Sequence, residues 1–320
     1  MPAGPREAVY GQSGRLHELQ LRSKTGQDLA AKSQVAATAL NNRVRNFKSD
    51  LKVRRRAGQS LSRRANLSPM TVKTKEEIMK MAKVCKLAAR CLEYTGKFVK
   101  AGITTDELDK IASEWGLSNG AKSAPLGYKG FPKSICTSVN QVICHGVPGK
   151  EVLKDGDIIN VDVTLLMDGF HGDTSYTFFV GEVSERAKKV TEIAKQAMYK
   201  GIEAITPFGT TGDIGFTINK FTTKSGFYVV EEIGGHGIGR VFHEDPFVPS
   251  FGKKGRGDRL LPGGCITVEP MVNETAADMI EHAIPNSSIQ WYTTADKTLS
   301  AQFEHTVLIT EKGPEILTVP

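Results

Sequence analysis

The sequence predicts a mixed α/β (α+β) body made of two duplicated, pseudo-symmetric halves. Three observations predict it. First, motifs recur at a fixed offset. Gly102, Thr104 and Asp106 return as Gly209, Thr211 and Asp213, and the stretch 155–162 (DGDIINVD) returns as 262–269 (PGGCITVE), both 107 residues on. The tetrapeptide from His145 (HGVP) returns at His243 (HEDP) with an offset of 98. Two copies, about 71–180 and 181–310, make a paired fold and not a solenoid. Second, each copy passes from helical to strand periodicity in the same order. Third, Asp168-Gly169 between two β-branched runs reads as a tight hairpin turn, which makes that strand pair antiparallel.

The elements follow in order. Thr74, with Glu77 three residues on, is a capping box that opens an amphipathic helix over 76–99. A shorter helix follows near 104–116. Strands Ile158–Leu166 and Gly172–Val180 flank the hairpin turn. The second copy repeats the pattern with helices over 184–204 and 211–223 and strands Ile266–Val268 and Gln302–Ile309.

Composition bounds the function class. With 39% hydrophobic residues the chain can bury a core, yet no run of about 18 apolar residues exists to cross a membrane. The first 30 residues hold no apolar segment of the secretory kind. Five cysteines, an odd number without a CxxC pair, point away from disulfides and zinc clusters and towards a reducing compartment. A cytoplasmic location is expected. Charge is uneven. Residues 1–70 carry 14 Lys/Arg against four acids, a balance of +10, so the rest of this +7 chain carries −3. Residues 1–70 are expected to form a basic extension, flexible or partly helical between about Leu16 and Val44. A solvated tail, an arm that binds RNA, and an organellar transit peptide all remain open for it.

The chemistry lies in strand positions that ought to be apolar. Asp162 interrupts IINVDVTLL, Asp173 lies across the hairpin turn and roughly opposite it, Glu269 follows Ile-Thr-Val, and Glu304 sits in SAQFEHTVLI. An unpaired carboxylate in a core costs several kcal/mol, and Lys and Arg are sparse in these runs. A metal pair with oxygen ligands resolves the conflict. His236, in the glycine-rich GGHGIG, is the candidate nitrogen ligand. The repeat-related His145 and His243 are expected to flank the site as acid/base or substrate-orienting groups. Taken singly, a strand Asp satisfies a turn and a loop His is structural; taken together in symmetric order, the set is not explained that way. GGHGIG lacks the strand and helix context of a phosphate loop. Cys136 and Cys144 read as small pocket residues, not nucleophiles.

These residues resemble those of the type 1 methionine aminopeptidases, of the pita-bread metalloaminopeptidase fold. The motifs are GYKGFPKSICTSVNQVICHGVP (127–148), DGDIINVDVTLLMDGFHGDTSYTFFVG (155–181), GGHGIGRVFHEDP (234–246), PGGCITVEPMV (262–272) and TLSAQFEHTVLIT (298–310). They cover about 71–320, which would be the catalytic domain. The resemblance implies a central curved antiparallel sheet flanked by helices. It also implies removal of the initiator Met from nascent polypeptides whose second residue is small. Two divalent ions (Co, Mn, Fe(II) or Zn) would be bridged by Asp173 and Glu304. Asp162 would bind one, His236 and Glu269 the other, with a water between the metals as nucleophile. Glu269 would also shuttle protons, and His145 and His243 would position the scissile peptide. Tyr128, Phe131, Cys136 and Phe242 match the methionine pocket, and Trp291 lies one residue away from a pocket tryptophan. A monomer is implied. The N-terminal zinc-finger domain of eukaryotic cytosolic relatives and the helical insertion of type 2 enzymes are both missing. The basic 1–70 matches no family motif; ribosomal RNA is its candidate partner. Two other readings stand beside this one: an X-Pro aminopeptidase or prolidase of the same fold, and a non-catalytic pita-bread protein that binds RNA through the arm.

Overall fold

The computed structural model describes residues 70–320. Apart from Met70, the expected basic extension lies outside the described residues, as does its partial helix.

The helices form where periodicity and caps place them. Helix α1 (Lys75–Gly96) starts at the expected capping box: the Glu77 amide donates to Thr74 Oγ1 (3.3 Å) and the Thr74 amide to Glu77 Oε2 (2.9 Å). It buries Met81, Val84, Cys85, Ala88 and Leu92, a stripe at three- and four-residue spacing. Helices α2 (Thr105–Ser118), α3 (Glu185–Glu203) and α4 (Thr211–Lys224) follow. α2 and α4 are each 14 residues long and each begins with a capping box, Thr104/Glu107 and Thr210/Asp213. Their register is therefore 106, not the 107 read from the sequence. Both copies carry a Thr-Thr doublet, and only the cap decides which threonine is equivalent to which.

The main sheet has nine antiparallel strands. Its order is β1 (Lys122–Ser123), β4 (Ile158–Met167), β5 (Phe170–Phe179), β14 (Glu304–Thr310), β9 (Cys265–Val268), β7 (Gly235–Gly237), β8 (Glu244–Val248); β2 (Cys136–Val139) pairs with β4 and β15 (Gly313–Ile316) with β14. Two three-stranded sheets complete the body: β13 (Ser300–Gln302), β10 (Met271–Asn273), β6 (Tyr228–Val229), and β11 (Met279–Ala283), β12 (Gln290–Thr294), β3 (Val142–Cys144). The halves meet where β5 pairs with β14. Pairing shows the duplication directly. Val139 faces Ile159 as Gly237 faces Ile266, so β2 maps to β7 at offset 98 and β4 to β9 at 107.

Two apolar cores cover the outer face of the sheet. One joins α1 and α2 to the first half and the other joins α3 and α4 to the second. α1 lies so close to β5 that a Cβ at Gly172 would fall 2.7 Å from Cys85 backbone atoms. The hairpin turn forms as expected, with Asp168 and Gly169 at φ of 54° and 78°.

Candidate metal centre

Register alone assembles the site. Cys136 pairs with Asp162, Asp162 with Ser175, and Ser175 with Glu304, one row across four strands. Cross-strand partners share a face, so Asp162 and Glu304 project to the same inner side. Asp173 pairs with Thr164, two residues along the same strands, and joins that face. It stands diagonal to Asp162, not opposite it as the hairpin tip alone suggested. The second half adds Thr267 from β9 and Glu269 just past its end, and His236 follows by donating its backbone N–H to Thr267 Oγ1 (2.9 Å).

Side-chain contacts then aim the groups. Thr164 donates to Asp173 Oδ1 (2.7 Å). Glu269 accepts from Thr267 Oγ1 (2.7 Å) and from Gln302 Nε2 (3.1 Å). His236 donates Nδ1–H to the Gly237 carbonyl (2.9 Å), which leaves the Nε2 lone pair free. That nitrogen stands 3.6 Å from Glu269 Oε1 and 3.8 Å from Asp173 Oδ2, too far for hydrogen bonds. One ligand atom each from Asp173, His236 and Glu304 lie within 4.8 Å of one another. Asp162 Oδ1 is buried and has no hydrogen-bond partner among the described residues.

Electrostatics agree with the geometry. Burial pushes Asp162 up to about 7 and Glu269 up to about 8, the latter against the donors Thr267 and Gln302. Asp173 and Glu304 rise well above the carboxylate range, through burial first and then repulsion from the neighbouring acids. Burial lowers His236 to about 4, so its imidazole is neutral. Four crowded carboxylates, a neutral imidazole with a free lone pair and an orphaned carboxylate oxygen are the donor set a divalent cation satisfies. The residues present fit such an ion.

These groups floor a cavity of about 280 Å³. Tyr128, Phe131, Cys136, Phe242, His145 and His243 line it. His145 is held at φ 55°, a left-handed backbone that an L-residue adopts at a cost, and its Nδ1–H donates to the Gln290 carbonyl (3.0 Å). Burial lowers its pKa. His243 stands at the mouth, stacked near Tyr128 and bonded through Nδ1 to the Tyr128 hydroxyl (3.1 Å). The Cys136 thiol is pushed well up by burial and by Asp162, so it stays neutral and is not a nucleophile.

Trp291 is the exception. Adjacent strand residues face opposite sides, and on β12 it is Tyr292 that lines the cavity. Trp291 stacks on His282, 4.1 Å between ring centroids, and packs behind Phe131 and Cys136. The strand register shifts between Tyr292 and Thr293, and that irregularity hides the facing from a reading of the sequence.

Several contributors were missed. Thr164 and Thr267 sit two positions from Asp162 and Glu269, and period-two spacing was the available signal. Lys73 was not legible: its ammonium pairs with Glu244, 171 residues away, at 2.8 Å in a nearly buried contact. Glu244 also accepts the Val241 amide (3.3 Å) and so ties down the Phe242-His243 loop.

Comparison with known proteins places this geometry. Residues 79–311 match the family model of metallopeptidase family M24. Methionine aminopeptidase A of Synechocystis is 49% identical over 251 residues, spanning 78% of this chain and 98% of that protein. The crystal structure of methionine aminopeptidase from Rickettsia prowazekii matches with a TM-score of 0.76 at 44% identity, covering 78% of this chain and all of that one (100%). The prolidase from Pyrococcus furiosus shares the fold alone, with a TM-score of 0.62 at 24% identity over 78% of this chain and 65% of its own. The curled antiparallel sheet with helices outside it is the pita-bread fold, and the chain belongs to metallopeptidase family M24, as an enzyme of its methionine aminopeptidase branch.

Proposed function

We propose that this chain removes the N-terminal methionine of nascent polypeptides whose second residue is small, with two divalent ions held by Asp162, Asp173, His236, Glu269 and Glu304. One observation carries the reading: the convergence of Asp173, His236 and Glu304 beside the orphaned Asp162 oxygen, at the floor of a cavity walled by aromatic rings and a neutral thiol. Asp173, His236 and Glu304, whose ligand atoms converge, would hold the ions together with Asp162 and Glu269. Bound divalent ions supply Lewis-acid polarisation and a more acidic water. The mainly carboxylate donor set suits Mn, Fe(II), Co or Zn.

The chain's own residues do the rest. Phe131, Cys136, Phe242 and Tyr128, with Tyr292, form an apolar, polarizable slot for a thioether side chain. His145, with Nδ1–H committed to Gln290, offers Nε2 as acceptor for a substrate N–H. With Tyr128 donating its hydroxyl proton to Nδ1, His243 keeps a proton on Nε2 and donates to the scissile carbonyl oxygen as negative charge grows there. Glu269, oriented by Thr267 and Gln302, is the proton holder for the leaving amine. The catalytic part spans 71–320 and acts as a monomer in the cytoplasm. The +10 extension over 1–70 holds it near ribosomal RNA. If deleting 1–70 leaves ribosome co-sedimentation and its salt dependence unchanged, that role is lost.

The test of the activity is methionine release from Met-Ala-Ser by chelator-stripped protein, with and without added Mn or Co, beside an X-Pro peptide. Metal-dependent release from Met-Ala-Ser is expected. Cleavage of the X-Pro peptide alone would move the chain to the prolidase reading. Silence on both with metals bound would leave the RNA-binding one.

A further inference from the structure

A second cavity, of about 550 Å³, adjoins the catalytic one. Glu231 and Glu232 line it, and the next two residues in the chain, Ile233 and Gly234, line the catalytic cavity. Met279 also lines it and packs in one apolar cluster with Ile233 and Tyr292 of the catalytic cavity, so the two cavities share a wall.

Its lining is acidic. Glu231, Glu232 and Asp278 contribute three carboxylates, and among the described residues no Lys, Arg or His lines it. A buried acceptor adds to them. Asn273 on β10 pairs directly with Tyr228, an exposed residue of the same lining, so both side chains lie on the cavity's face of the sheet. Asn273 is 5% exposed and its Oδ1 has no hydrogen-bond partner among the described residues. A buried amide oxygen left without a donor is costly, and a ligand bearing N–H groups would relieve it.

The spread of these acceptors selects the ligand. The Asp173, His236 and Glu304 group is the one whose ligand atoms close to within 4.8 Å among the described residues, so the three carboxylates here do not converge as a cage for a small ion. Dispersed acceptors suit an extended cation with several donors, which is a guanidinium or an ammonium on a flexible stem. Position selects its source. Asn273 is four residues from Glu269, at most about 14 Å of extended chain. A polypeptide that leaves the scissile bond extended crosses that span in about four residues, and a long basic side chain reaches it sooner.

We propose that this cavity is a subsite for the substrate downstream of the scissile bond, and that it takes an Arg or Lys at about the third to fifth position of the polypeptide. The inference rests on the aminopeptidase reading above. It predicts that nascent chains with basic residues soon after the initiator are the better substrates.

The experiment compares Met-Ala-Ser-Arg-Arg-Leu, Met-Ala-Ser-Ala-Ala-Leu and Met-Ala-Ser-Glu-Glu-Leu on the metal-loaded full chain at low salt. The wild type is set beside the Glu231→Gln/Glu232→Gln/Asp278→Asn variant, whose changes are all at exposed positions. The expected result is a KM for the Arg peptide lower than for the Ala peptide by about three- to tenfold, with kcat unchanged and the advantage shrinking in salt. In the variant the advantage disappears while Met-Ala-Ser turnover stays at the wild-type level. Equal kcat/KM for the three peptides in the wild type, or an Arg preference that survives in the variant, would overturn the subsite. Loss of Met-Ala-Ser cleavage in the wild type is a different failure: it removes the aminopeptidase reading and the subsite with it.

Discussion

The Asp162 carboxylate has one oxygen with nothing to bond to, and that makes it the clearest single test of the site. In Asp162→Asn the side chain keeps its size but loses its charge. Loss of an outer partner of a metal ligand already costs about 10–100-fold in affinity, so loss of a direct anionic ligand should cost at least that. We expect Mn titration by calorimetry to show a weakened or missing site, and methionine release to vanish. Wild-type affinity in this variant would remove Asp162 from the ligand set. His145 tests the opposite case. Its Nδ1–H is spent on Gln290 and it lines the cavity, but it is not among the residues whose ligand atoms converge within 4.8 Å. His145→Ala should therefore lower kcat by about 10²–10⁴-fold while metal content stays at the wild-type value. Loss of metal from this variant would contradict the assigned role.

At the level of elements, strands legible in the sequence were those long enough to alternate or, like β9, marked by the repeat. β4 and β5 each run ten residues, carry a turn signal between them, and expose their acids as breaks in an apolar pattern. β3, β10 and β13 have three residues each, too few for a period to show, and their partners lie far away in the chain. The same limit explains Trp291: a one-residue ambiguity near a register shift exchanges inside for outside. Long-range pairs are illegible for a further reason, since nothing local marks Lys73 as the partner of Glu244. That pair fastens the segment before α1 to the first residue of β8, where the loop from β7 ends, with side chains only 3% and 10% exposed. Lys73→Met leaves the Glu244 charge buried and unpaired, which should cost about 3–5 kcal/mol of stability in denaturant melts. Because the same loop carries Phe242 and His243, KM should rise as well. The double variant with Glu244→Gln, which removes the stranded charge, should recover part of the stability; a double variant no better than the single would show that the charge was not the cause.

Across the whole molecule, a buried acidic cluster makes the metal-free protein sensitive to pH in a direction that can be worked out. Asp162 and Glu269 titrate near 7 and 8 in the folded state, and Asp173 and Glu304 well above the carboxylate range, against about 4 in an unfolded chain. Between those limits the folded state holds more protons than the unfolded one, so the stability these groups contribute at low pH is lost as pH rises through 7 and 8. The buried histidines act in the other direction. His236 and His305 are lowered to about 4, so they penalise folding in acid, but their effect ends near the ordinary imidazole value of about 6.5. Cysteines with raised pKa, Cys91 and Cys265 at about 12, add to the loss only as pH passes about 8.5. The window from pH 7 to 8 therefore isolates the carboxylates. Each proton of difference is worth about 1.4 kcal/mol per pH unit, so Asp162 and Glu269 alone should cost stripped protein about 1–2 kcal/mol across that window, and Asp173 and Glu304 add to the loss. Divalent ions compete with the same protons, and their affinity should climb over the same range. Denaturant melts at pH 7 and pH 8 should then show a stability that falls without metal and holds or rises with saturating Mn. Parallel curves in the two conditions would mean that the four carboxylates do not titrate as one metal-binding cluster.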